Sequence, residues 1–164
     1  MLIGVIADTH IPDREKQLPS AVLDLFSRVS LVLHAGDFTT EETWVAIKNQ
    51  TQLRAVRGNM DQPELKQKLP PKEVFSIEGV KIGLIHGTGS PLGIVQRVRA
   101  AFAGEEVNLV VYGHTHQPQK EWVEGVLFLN PGSPTDKVFA PFNSFAIVEL
   151  QEGQIIKAEI IPLK

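Results

Sequence analysis

Five short polar runs carry the residue types that could do chemistry: Asp8-Thr9-His10, His34-Ala35-Gly36-Asp37, Arg57-Gly58-Asn59-Met60-Asp61, His86-Gly87 and Gly113-His114-Thr115-His116. Four of them hold all five histidines of the 164-residue chain. Imidazole nitrogens combined with carboxylate and amide oxygens suit borderline divalent metals such as Mn, Zn, Fe or Ni, whereas an all-oxygen set would favour Ca or Mg. There is no cysteine, so thiolate sites, disulfides and a thiol nucleophile are excluded. With His34 set aside, Asp8, Asp37 and Asn59 plus His10, His86, His114 and His116 exceed what one tetrahedral ion takes. Two ions sharing one carboxylate is the economical arrangement, and Asp37, central among the runs, is the natural bridge. Each run alone also has an ordinary reading as a helix cap, a turn or a solvated loop. What speaks against those readings is the placement of the whole set.

Each run follows a hydrophobic stretch that reads as a strand: Leu2 to Ala7, Leu31 to Leu33, Leu53 to Val56, Val80 to Ile85 and Leu109 to Tyr112. Helical spacing of apolar residues over Ser20 to Arg28, Glu41 to Asn49 and Gly93 to Ala103 gives an alternation of strand and helix. In such α/β sheets the loops at the carboxyl ends of parallel strands converge on one crevice, so the five runs are expected to meet. Further strands, Val126 to Leu129 and Phe145 to Leu150, follow without helices, and Glu124-Gly125 and Glu152-Gly153 are placed to close hairpins. The pattern implies one domain over 1–164, built on a mixed sheet or two packed sheets.

Composition bounds the chemistry. With 43% apolar residues the chain can build a core, and its net charge of 16 − 19 = −3 offers no broad basic surface for a long nucleic acid. The N-terminal apolar run stops at Asp8, too short for a signal segment or a membrane span, so a cytoplasmic location and no membrane partner are expected. Gly87-Thr88-Gly89-Ser90-Pro91 lacks the spacing and lysine of a phosphate-binding P-loop, and Lys66 to Lys72 reads as a solvated loop.

Taken in order, Asp8-Thr9-His10, Gly36-Asp37, Gly58-Asn59, His86-Gly87 and Gly113-His114-Thr115-His116 resemble the calcineurin-like metallophosphoesterases, in particular their small prokaryotic YfcE-like branch. The resemblance runs from Met1 to about Leu150 and includes Asn130-Pro131-Gly132-Ser133. It implies a four-layer α/β/β/α sandwich of two mixed β-sheets flanked by helices, with a dinuclear centre on the strand-end loops. Asp8, His10 and His116 would bind one metal, Asn59, His86 and His114 the other, and Asp37 would bridge them. Catalysis would rest on Asp37, Asn59, His86 and His114, with His34, Arg57 and Asp61 orienting ligands or touching substrate. Manganese is the metal expected, with Ni, Fe, Zn and Mg as alternatives.

The implied reaction is hydrolysis of a small phosphate ester, a diester by preference, by a hydroxide bridging the two metals. Two departures from the family pattern bear on it. Met60 stands where many members carry a histidine that protonates the leaving group, so esters of acidic alcohols and phenols should be favoured. Asp136-Lys137 stands where an arginine would be sought, so no substrate contact is expected there. Rival readings are a protein-binding scaffold with the same fold, as in the retromer subunit that resembles this family, and a single structural zinc. A homo-oligomer is compatible with the sequence.

Overall fold

The computed structural model describes residues 1–164. The first sheet is built on three parallel strands, β1 (Leu2–Ile6), β2 (Leu31–His34) and β3 (Leu53–Ala55), linked through α1 (Ser20–Arg28) and α2 (Glu41–Lys48). After α3 (Pro63–Lys68) the chain forms an antiparallel hairpin of β4 (Lys72–Ile77) and β5 (Val80–Ile85), then α4 (Ile94–Ala101) and β6 (Leu109–Val111). A second hairpin, β7 (Gln119–Val123) and β8 (Val126–Asn130), completes the second sheet in the order β4-β5-β6-β8-β7. The last pair, β9 (Ser144–Gln151) and β10 (Gln154–Pro162), returns to the first sheet, giving β10-β9-β1-β2-β3.

Strand alternation explains why the sheets stack. Ile3, Val5, Leu31, Leu33, Ile82, Leu84, Leu109 and Val111 point between the sheets and form one buried cluster, while the intervening Ile6 and Val32 face Val22, Leu25 and Phe26 of α1, Ile47 of α2 and Leu65 of α3. Val110 and Phe128 on the far side of the second sheet meet Ile94, Val95 and Val98 of α4. Strands buried on both faces read as continuous apolar runs, which is the pattern these strands show. The result is the four-layer α/β/β/α sandwich of two mixed five-stranded sheets. No helix is long and apolar enough to cross a membrane.

The region read as a solvated loop, Lys66 to Lys72, instead ends α3 and begins β4. Pro63 at the first helical turn fixes φ where an N–H has no partner anyway, and starts the short helix. The hairpin between β4 and β5 turns on Glu78-Gly79, both at positive φ, as do Glu124-Gly125 and Glu152-Gly153. A pair of left-handed residues is what a two-residue hairpin of this twist requires, and glycine takes the second position without strain.

Candidate metal centre

The parallel strands β1, β2 and β3 of one sheet and β5 and β6 of the other deliver their carboxyl ends to the same edge of the sandwich, and the five polar runs meet there. Asp8, His10, Asp37, His86 and His116 are buried, His114 is half-buried and Asn59 is exposed at the rim. The backbone is bent to bring them in. Asp8, His10, Asp37, His114 and His116 all adopt positive φ, between 40° and 74°, a region that costs non-glycine residues about 1 kcal/mol or more each and concentrates at functional sites.

Each carboxylate has one oxygen pinned and one aimed inward. Asp8 Oδ2 accepts from the His114 backbone N–H at 3.0 Å, and Asp37 Oδ1 accepts from the Met60 N–H at 2.8 Å. The other oxygens face imidazoles. Asp37 Oδ2 lies 3.2 Å from His86 Nε2 and 3.5 Å from His10 Nε2, while Asp8 Oδ1 lies 3.5 Å from His116 Nε2 and 3.9 Å from both His10 Nε2 and His86 Nε2. Asn59 Oδ1 sits 3.0 Å from His86 Nε2 and 3.1 Å from His114 Nδ1.

The far side of each ring decides which nitrogen carries a proton. His86 Nδ1–H donates to Ala35 O at 2.7 Å, His114 Nε2–H to Gly89 O at 3.0 Å, and His116 Nδ1–H to Asp136 Oδ2 at 2.7 Å. In the neutral rings the opposite nitrogens turn lone pairs toward oxygen lone pairs, an arrangement that is unfavourable unless a cation or a proton stands between them. His10 Nε2 and His116 Nε2 also stand 3.2 Å apart. Asp8 Oδ1 is buried and has no hydrogen-bond partner at all, the kind of orphan that a bound ion explains. Asp8, His10 and His116, and separately Asp8, Asp37 and His86, have donor atoms close enough together to hold a metal ion. The donor set thus fits divalent cations.

Ionisation follows the same geometry. Burial alone would lower the His86 pKa, but the Asp37 hydrogen bond and the charges of Asp8 and Asp37 outweigh it and raise it to about 9. His116 is likewise raised against its burial by Asp8 and Asp136. Burial, with the His86 charge, lowers His114; burial lowers His10 despite Asp8 and Asp37 nearby. Burial would push the Asp37 carboxyl up, but His86 and the Met60 amide hold it below its ordinary value.

The remaining expected residues lie around this cluster rather than in it. His34, fully buried and stacked on Phe38, accepts from Gly36 N–H at Nδ1 and meets Thr9 Oγ1 with Nε2. It orders the backbone of two site loops, and burial keeps it neutral. Asp61 accepts from the backbone N–H groups of Asp37, Thr39 and Gly58, tying the second loop to the third. Arg57 lines a neighbouring cavity and donates Nη1 to Lys66 O. The Asn130 to Ser133 segment acts as a clasp: Asn130 Nδ2 donates to Gly113 O and Ser133 Oγ to Asp8 O.

Asp136 joins this cluster although the sequence pattern assigned it no role. It is buried, holds His116, accepts three further backbone N–H groups from Val138, Phe139 and Ala140, and its pKa is depressed to about 2, burial being outweighed by His116 and these amides. It lies 20 residues from its partner in an irregular segment, where no periodic signal links the two.

Residues 1–153 match the family model of the calcineurin-like phosphoesterase superfamily domain. A probable metallophosphoesterase of Methanothermobacter thermautotrophicus is 40% identical over 162 residues, spanning 98% of this chain and 92% of that protein. A second, from Methanocaldococcus jannaschii, is 41% identical over 100% of this chain and 82% of that protein. Among solved structures, wild-type Vps29 of Entamoeba histolytica, crystallised with zinc, is 30% identical, with a TM-score of 0.78 and 99% of each chain covered.

Proposed function

The chain belongs to the calcineurin-like phosphoesterase superfamily, and on that premise we propose that it hydrolyses phosphate esters, diesters by preference, with two divalent cations. The observation that carries this reading is Asp8 Oδ1, buried, without a hydrogen bond, and faced by the Nε2 atoms of three histidines. Asp8, His10 and His116 would hold one cation and Asn59, His86 and His114 the other. Asp37 Oδ2, between His86 and His10, would be shared. Cations there supply charge that lowers the pKa of water towards neutrality and offsets the charge on the phosphate oxygens.

The chain's own residues do the rest. The rings of His86, His114 and His116, locked from behind by Ala35 O, Gly89 O and Asp136, keep their free nitrogens inward without reorganisation. A water oxygen gives up a proton to solvent and bonds to phosphorus as the ester P–O bond breaks, and the electron pair leaves with the departing oxygen, which takes its proton from solvent. Met60, exposed at the mouth of the site, donates no proton to that oxygen, so leaving groups stable as anions are favoured. Manganese suits the mixed nitrogen and oxygen donors, and the zinc in the Vps29 relative supports a borderline divalent ion.

A second reading is a protein-interaction scaffold. It is favoured by the likeness to Vps29 and by exposed apolar side chains at and near the mouth, Met60, Leu92 and Phe139. Against it stands the desolvated donor set, which a scaffold does not need. The experiment that decides is release of nitrophenol from bis(p-nitrophenyl) phosphate by chelator-stripped protein restored with Mn²⁺, beside Asp37→Ala. Metal-dependent turnover lost in the variant supports the dinuclear hydrolase. No turnover with any of several metals favours the scaffold.

A further inference from the structure

Beside the donors, on the Asn59 and His86 edge, lies a cavity of about 640 Å³ whose lining includes Arg57, Lys66 and Arg97 and no carboxylate. In a chain of net charge −3, that is an uneven distribution. Several cations elsewhere are paired, Arg54 with Glu73, Lys68 with Glu41, Lys72 with Glu105 and Arg99 with Glu124, and no other cavity of this size beside the donors gathers three that are not. Arg57, Lys66 and Arg97 have no acidic side chain within ion-pair distance. They are held instead by neutral carbonyls. Arg57 Nη1 donates to Lys66 O at 2.8 Å, Lys66 Nζ to Asn59 O at 2.8 Å, and Arg97 to Thr88 O, Ser90 O and Leu92 O.

Carbonyl bonds orient a cation without cancelling its charge. Arg97 is spent on shaping the 88–92 wall, but an ammonium has three N–H donors and a guanidinium five, so Lys66 and Arg57 keep donors free. Lys66 is moreover bound to the backbone of Asn59, the residue shared by this cavity and the adjoining one of about 530 Å³ over the donors. The second cavity differs in kind. Its lining carries acidic Asp13 and Asp37 beside Met60, Pro91 and Phe139, and its one Lys or Arg, Arg14, lies 3.7 Å from the carboxylate of Asp136. A phosphorus seated at the donors would thus send one substituent toward unneutralised positive charge and the other toward a wall whose cation is paired and which carries carboxylates.

We propose that the substituent entering the Arg57 and Lys66 cavity carries a second phosphate, so that the substrate is a phosphate ester bearing a further, uncleaved phosphate group. The assignment rests on the phosphoesterase reading above. Only the P–O bond at the donors is broken; the second phosphate binds and leaves unchanged.

The test uses metal-restored protein and two substrates that differ in one group: thymidine 5′-(p-nitrophenyl phosphate) with and without a 3′-phosphate. The phosphorylated substrate is expected to have a kcat/KM higher by about tenfold or more, from charge-assisted hydrogen bonds, with the ratio shrinking as salt is raised. In Lys66→Ala the ratio should fall towards one, and Lys66→Arg should restore most of it. Reading a ratio separates the subsite from any general loss of activity. Equal kcat/KM for the two substrates, or a ratio unchanged in Lys66→Ala, would overturn the assignment alone. Absence of turnover of both, and of bis(p-nitrophenyl) phosphate, would overturn the phosphoesterase reading and this assignment with it.

Discussion

His116 donates Nδ1–H to Asp136 Oδ2 at 2.7 Å, and this bond settles which face of the ring the site receives. Without it the ring is free to rotate or change tautomer. Loss of such an outer partner typically weakens metal binding about 10- to 100-fold. Asp136→Ala should show that loss in a metal titration, and Asp136→Asn, which still accepts the hydrogen bond but without charge, should fall between it and wild type. Unchanged affinity in Asp136→Ala would mean that His116 is held by its surroundings or is not a ligand.

Metal binding should release protons. In the metal-free protein a proton occupies His86 up to about pH 9 instead of 6.5, standing where a cation would. His116 is also raised, whereas His10 and His114 are lowered and are neutral at physiological pH. Calorimetry near neutral pH in buffers of differing ionisation enthalpy should therefore report about one to two protons released on filling the site. The sign also fixes stability. A group with a raised folded pKa stabilises the metal-free fold below 6.5, and that contribution is lost as pH rises through about 9. Thermal melts should show metal-free protein weakening across that window and added Mn²⁺ stabilising it most at the upper end.

How much of this was legible in the sequence depends on burial. β1, β2 and β6 are apolar on both faces and announce themselves, β5 does so despite Lys81, and so do the helices whose buried residues recur every three or four positions, such as Val22, Leu25 and Phe26. Strand β4, Lys72–Ile77, is a half-exposed edge strand with charged and aromatic residues mixed, so it carries no hydrophobic run. The Glu78-Gly79 turn behind it was the available signal, identical in kind to the two Glu-Gly turns that do mark the other hairpins. The seven donor residues could be grouped because each follows a strand. Asp136 and Lys66 could not, since their roles come from tertiary contacts made by an irregular segment and a helix of 6 residues.

The identity of residue 60 should control the range of leaving groups. Met60 contributes only its backbone N–H to Asp37, so its side chain can be changed without removing that bond. Met60→His places an imidazole at the mouth, and a positioned general acid is worth about 10² to 10⁴ in rate. The gain should appear for a dinucleoside monophosphate, whose leaving group is an alcohol, and be small for bis(p-nitrophenyl) phosphate. A ratio of the two rates that does not move would show that residue 60 does not face the leaving oxygen.

Gly58 is required by Asp37. A Cβ built at position 58 would lie 2.0 Å from Asp37 Oδ1 and 2.4 Å from its backbone nitrogen. Neither side can give way easily, because Gly58 N–H is tied to Asp61 Oδ2 at 2.7 Å while Asp37 Oδ1 is tied to Met60 N–H. Gly58→Ala must therefore displace the Asp37 carboxylate, with an overpacking cost of about 1 to 3 kcal/mol and a loss of activity larger than that cost alone would cause. Gly125→Ala is the control. It sits at φ 81° with open space around its Cβ, so it incurs only the left-handed backbone penalty of about 1 to 2 kcal/mol, far from the site. If both variants lost similar stability and only Gly58→Ala lost metal affinity and turnover, the defect would lie in the position of Asp37; equal activity in the two would place Asp37 outside the chemistry.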